Sequence, residues 1–128
     1  PNPMVQQVVK SRLAGHPRIV LLEPLDYVPL LWCMHRSALI LTDSGGIQEE
    51  APSFGKPVLI LRETTERPEA VHAGFAELIG TDANRIFERG MHFLSTPAAA
   101  ATLASRPSPF GDGSAGRLIA ESIVKASA

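Results

Sequence analysis

The chain has 128 residues, 45% of them hydrophobic and 20% charged, with a formal net charge of −1. That length and balance fit one globular domain spanning residues 1–128, able to bury roughly 65–70% of its unfolded surface. No polybasic face points to nucleic acid or to an anionic membrane, and the apolar stretch from Tyr27 to Met34 is far short of the ~20 residues of a membrane span. With no basic-then-apolar leader, the expected address is cytoplasmic.

Residues 5–13 space Val5, Val8, Val9 and Leu13 at helical intervals, with Gly15 placed as a stop, and predict a first helix. Residues 18–22 (RIVLL) are apolar and β-branched and end at Pro24, which predicts a buried strand. Asp26 is a suitable N-cap for a helix over 27–36, whose Pro29 sits in the first turn, where a missing N–H costs least. Trp32 and Tyr27 fall in this apolar helix and read as core; Cys33, the only cysteine, reads as a buried thiol with no disulfide partner.

Residues 38–42 (ALILT) predict a parallel strand covered on both faces. A small-residue turn and a helix over 46–54 follow, with Pro52 inside it removing the bond to the Gln48 carbonyl and predicting a kink or early end. Residues 58–61 form another buried strand, Pro68 opens a short helix ending at Gly74, and 75–79 is a weaker strand. Asp82 or Ala83 starts a helix to about Leu94, Pro97 starts a short one, and the turn 107–113 leads to Ser114, a cap for a last helix to about Lys125. Strands alternating with helices predict right-handed crossovers and a Rossmann-like parallel sheet flanked by helices. Such a sheet binds ligands beyond the carboxyl ends of its strands, here the loops 23–26, 43–46 and 62–67.

Ser44-Gly45-Gly46 stands at the second of these loops. Free N–H groups at a helix start, approached closely over glycine, suit a phosphate. The plainer reading is that Asp43 or Ser44 caps the helix and the glycines ease a tight turn; both stand on sequence alone. The absence of a following Gly-Lys-Ser/Thr excludes a Walker loop. Glu50 lies four residues from Gly46 and shares its face, about 5–6 Å along, whereas Glu49 is rotated by about 100°. Glu50 is therefore placed to accept from ribose hydroxyls one turn beyond a diphosphate, or else is a solvated first-turn acid.

Arg67 precedes Pro68, is pushed from helical geometry, and is free to turn toward phosphate. The commoner fate of such a loop is local pairing of Arg62 and Arg67 with Glu63, Glu66 or Glu69. His16, His35, His72 and His92 share no metal-ligand spacing, and no serine or cysteine sits in a nucleophile motif.

The stretch from Tyr27 to Asp82, with its Asp-Ser-Gly-Gly-Ile-Gln-Glu-Glu-Ala-Pro and Thr-Thr-Glu-Arg-Pro-Glu segments, and the later Pro-Phe-Gly-Asp-Gly resemble the C-terminal half of the non-hydrolysing UDP-N-acetylglucosamine 2-epimerases. Asn2-Pro3 resembles that family's His-x-Asn-Pro segment entered after its histidine. The resemblance implies the C-terminal domain of a two-domain glycosyltransferase-B fold. Ser44, Gly45 and Gly46 would bind the diphosphate of UDP, Glu50 the ribose, and Arg67 would face the phosphates. Leu25 and Leu30 match positions near the uracil where a glutamine and an aromatic are common, so side-chain contacts to the base would change here.

The implied reaction eliminates UDP from UDP-N-acetylglucosamine to a 2-acetamidoglucal and re-adds it with C2 inverted, giving UDP-N-acetylmannosamine for cell-surface polysaccharide. No cofactor or metal is implied. The carboxylates that move protons at C2 and C3 come from the family's N-terminal half, so no catalytic group is expected in this chain, which would bind UDP weakly and not turn over. Implied partners are UDP, a UDP-N-acetylhexosamine and that N-terminal domain, with a homodimer as a form of the full-length protein. Two other readings are a non-catalytic UDP-sugar-binding module or relic, and a glycosyltransferase or hydrolysing epimerase domain; the length of the match at Thr64–Glu69 weighs against the latter.

Overall fold

The computed structural model describes residues 3–126 and divides into two compact units, Pro1–Cys33 and Met34–Ala128. Asn2, part of the resemblance above, lies outside the described residues.

In the first unit, helix α1 (Pro3–Leu13) carries Lys10 and Arg12 in its last turn, where cations complement the helix dipole, and Lys10 reaches Glu23 at 3.8 Å. Gly15, at φ 80°, ends the helix as expected. Helix α2 (Tyr27–Arg36), all but its last three residues in this unit, begins where the Leu30 N–H bonds the Asp26 carbonyl.

Two expectations fail in this unit. The segment 18–22 is irregular rather than a strand: the Ile19 N–H turns back to the His16 carbonyl, and Val20 is 80% exposed. An apolar run becomes a strand only when a neighbour supplies a ladder, and the sheet of the described residues has three strands, all later in the chain. Tyr27 and Trp32, expected in a core, are 60% and 65% exposed, and Cys33 is half-buried. A helix apolar on all sides needs cover on all sides, and within this unit two helices and a loop supply too little of it.

The second unit holds the sheet. Strands β1 (Ile40–Thr42), β2 (Val58–Ile60) and β3 (Ala76–Leu78) are parallel in the order β1-β2-β3, with Ile40 opposite Val58 and Val58 opposite Ala76. Val58, Leu59 and Ile60 are wholly buried, each side chain worth roughly 1.5–3 kcal/mol of burial. β1 departs from the expected two-sided cover, since Leu41 is 46% exposed between buried Ile40 and Thr42.

Helix α3 (Gly45–Glu50) follows β1 and gives way to a 3-10 turn, Ala51–Phe54, as the missing N–H of Pro52 requires. Helix α4 (Pro68–His72) links β2 to β3, and α5 (Ala83–Ser95) starts at Asp82, whose carboxylate accepts from the Arg85 N–H at 2.9 Å. Then come α6 (Pro97–Ala104) and α7 (Ala115–Ala126). α5 packs on β2 and on α6. No helix of the described residues is long and apolar enough to cross a membrane.

Candidate functional site

The carboxyl ends of the strands bring two loops onto one edge of the second unit. The Leu61 N–H bonds the Thr42 carbonyl at 2.9 Å and the Gly80 N–H bonds the Arg62 carbonyl at 3.1 Å, so the ladder continues just past the strands.

At the end of β1, the buried Thr42 hydroxyl accepts from the Ser44 N–H at 3.0 Å and folds the chain into α3. Ser44 is the N-cap, with extended backbone at φ −82°, ψ 128°, but its side chain makes no capping bond. The hydroxyl is exposed and remains a donor. Neither Gly45 nor Gly46 has a positive φ. A Cβ built on Gly45 would meet nothing within 4 Å, and one on Gly46 only the Ser44 Oγ at 3.9 Å. The fold itself therefore requires glycine at neither place, although each weakens a helix by roughly 0.5–1 kcal/mol relative to alanine. The plainer reading of these glycines, relief of a tight turn, loses its support.

Glu50 is half-buried, and its carboxylate has no hydrogen-bond or ion-pair partner among the described residues. Its acceptor capacity is unspent.

Arg67 departs from the local pairing that its loop composition suggests. Arg62 does pair locally, with Glu66 at 3.3 Å, but Arg67 gives its Nε–H to the carboxylate of Glu49 on α3 and one Nη1–H to the Glu66 backbone carbonyl at 3.0 Å. The hydrogen bond that Arg67 donates to Glu49, and then the Glu49 charge, raise the Arg67 pKa further, against the opposing effect of burial. Nη2 makes no hydrogen bond among the described residues.

Beside this pair, the wholly buried Gln48 accepts through Oε1 from the Thr65 hydroxyl at 2.5 Å, and the Thr65 oxygen accepts from the Arg67 N–H at 3.0 Å. The Gln48 Nε2 has no acceptor among the described residues. Sequence reasoning did not single out Gln48 or Thr65, and it used Glu49 only as the acid rotated away from the turn. That rotation is what delivers Glu49 to the Arg67 loop.

Leu25 and Leu30 belong to the first unit, Leu25 exposed in the loop before α2 and Leu30 half-buried within it. Neither side chain can hydrogen-bond, so any contact they make is apolar. Later in the second unit, the Phe110 N–H bonds the Ser108 hydroxyl at 3.2 Å and Asp112 accepts from the Ser114 N–H at 2.9 Å. These bonds shape the Pro-Phe-Gly-Asp-Gly loop, which borders an open cavity of about 580 Å³ with Ser53.

The chain is similar to known proteins over nearly its whole length. The family model described as UDP-N-acetylglucosamine 2-epimerase matches residues 1–124. The UDP-N-acetylglucosamine 2-epimerase of Salmonella typhimurium is 54% identical over 113 residues, covering 88% of this chain and 30% of the relative. That of Escherichia coli K12 is 48% identical over 123 residues, covering 95% and 32%.

Among solved structures, UDP-GlcNAc 2-epimerase from Neisseria meningitidis bound to UDP-GlcNAc superposes with a TM-score of 0.85 at 44% identity, covering 97% of this chain and 34% of that one. The S. aureus MnaA-UDP co-structure gives a TM-score of 0.86 at 44% identity, covering 95% and 33%. The parallel sheet with flanking helices is thus that of a glycosyltransferase-B fold. Spanning about a third of the length of the relatives it matches, the chain belongs to the UDP-N-acetylglucosamine 2-epimerase family.

Proposed function

We propose that this chain forms the UDP-binding part of a UDP-N-acetylglucosamine 2-epimerase, with Ser44, Gly45 and Gly46 on the diphosphate, Glu50 on the ribose hydroxyls and Arg67 on the phosphate side. The observation that carries the reading is the open space over Gly45 and Gly46, two glycines that neither backbone conformation nor packing requires. A ligand that must approach the backbone closely accounts for them. The neighbouring chemistry agrees: free N–H groups at a helix start and an uncommitted Ser44 hydroxyl suit an anion, and the unspent Glu50 carboxylate suits a pair of hydroxyls.

In the proposed reaction the C2 proton is removed and the bond from C1 to the β-phosphate oxygen breaks, leaving a 2-acetamidoglucal and UDP. Re-addition forms that bond again and returns a proton to the opposite face of C2. The negative charge that grows on the departing β-phosphate is stabilised by the Ser44–Gly46 donors and by the Arg67 cation, which act on the leaving group. None of these groups is a base for C2. That role is proposed to lie in the N-terminal domain of the full-length enzyme, working in the cytoplasm on UDP-N-acetylhexosamines for cell-surface polysaccharide.

The experiment is a UDP titration of the 128-residue chain followed by backbone amide shifts. Weak binding with shifts centred on Ser44 to Gly46, and loss of affinity in Ser44→Ala/Glu50→Ala, support the reading. Undetectable binding at millimolar UDP, or unchanged affinity in the double variant, removes it.

A further inference from the structure

Two consecutive residues of α3 hold Arg67 by different parts. Gln48, through the Thr65 hydroxyl, fixes its backbone N–H, and Glu49 fixes its guanidinium by the Nε edge. The Glu66 carbonyl takes an Nη1–H at 3.0 Å and completes the hold. What remains is Nη2, one proton of which lies on the Nε edge beside Glu49, and the second Nη1 proton; the outer Nη2–H and that Nη1–H form the end of the fork, away from α3's carboxylate. Arginine has five N–H groups in one rigid plane, so fixing Nε fixes the direction of the others.

A free arginine side chain loses much of its rotamer freedom when it is ordered on a ligand. One already held in place surrenders less of it at the moment of binding. We infer that Glu49 is a positioning residue: it orients the Arg67 guanidinium toward the diphosphate of UDP from outside the ligand's own contacts, with Gln48 and Thr65 holding the backbone beneath it.

The inference rests on the UDP reading above and adds a residue that the reading does not use. It also explains why α3 carries two adjacent carboxylates with separate tasks. Glu50 keeps its oxygens for the ligand, while Glu49 spends one on a neighbouring side chain.

The test is a double-mutant cycle on the 128-residue chain, with UDP and uridine as probes and a thermal melt of each variant to confirm folding. Arg67→Ala should weaken UDP. Glu49→Ala should weaken UDP about tenfold, the order expected for a charge-assisted contact, and leave uridine, which has no phosphates, unchanged. Glu49→Ala added to Arg67→Ala should have no further effect on UDP affinity, because its role runs through that side chain. Glu49→Gln, whose carbonyl still accepts from Nε–H, should recover part of the loss and keeps the test available if the alanine variant melts early.

Equal losses for UDP and uridine, or a Glu49→Ala loss that persists without Arg67, overturn the positioning role while leaving the UDP reading standing. A wild-type chain that does not bind UDP, or an Arg67→Ala variant with full affinity, overturns both.

Discussion

Gly55 and Ala104 are in backbone contact: a Cβ added at Gly55 would lie 2.3 Å from the Ala104 Cα, where the 3-10 turn after α3 meets α6. Gly55 also sits at φ 64°, in the left-handed region that side chains disfavour. Its N–H bonds the Pro52 carbonyl at 2.9 Å, closing the turn that delivers the chain to β2. Gly55→Ala therefore meets strain and overlap together and should destabilise the second unit by about 2–4 kcal/mol, read as a lower urea midpoint at unchanged slope. A neutral result would mean that α6 does not press on this turn.

Glu77 on β3 and Arg89 on α5 form a two-pronged pair, with Nε to Oε1 at 2.8 Å and Nη2 to Oε2 at 2.7 Å. The guanidinium also lies 5.6 Å from the Phe93 ring centroid. The hydrogen bond to Glu77 raises the Arg89 pKa above its ordinary value, so the guanidinium stays charged. Because both side chains are about a third exposed, Arg89→Ala should lower stability by only about 1 kcal/mol, mixing a screened ion pair with lost packing on Phe93. Arg89→Lys, which cannot reproduce the fork, should lose most of the same amount in thermal unfolding.

Much of this fold was legible because the signals were local. The wholly apolar 58–60 run had to be a buried strand, Asp82 had an open helix start to cap, and Pro52 had to interrupt α3. The segment 18–22 reads identically to such a strand, yet strand character is a property of a pair, and no residue in the run reports whether a partner is present.

The site divides the same way. The four-residue spacing from Gly46 to Glu50 is visible in one dimension. The bond between Glu49 and Arg67, 18 residues apart, depends on how α3 and the β2–α4 loop are docked, and no pattern in either segment encodes it. The buried Gln48 was hidden for the same reason, since a polar residue on a short helix is ordinarily read as surface.

Asp112 gives a pH dependence with a definite sign. Its bonds with Ser114 hold its carboxyl below the ordinary aspartate value. A carboxyl depressed in the folded state adds stability above its unfolded pKa and loses it as pH falls through the folded value. The wild-type thermal midpoint should thus fall slightly more steeply below about pH 4 than that of Asp112→Asn, with the two curves parallel above pH 5. Parallel curves across the acid range would show that this loop bond is absent in solution.

The most direct measurement of the central claim sets stability against binding at Gly45 and Gly46. With no positive φ and open space at both Cβ positions, alanine at either should stabilise the fold by roughly 0.5–1 kcal/mol. If the space over this turn belongs to a diphosphate, the same Cβ should intrude on it, and Gly45→Ala and Gly46→Ala should each weaken UDP at least tenfold while raising the melting temperature. Variants that gain stability and bind UDP as tightly as the wild type would contradict the assignment of this turn.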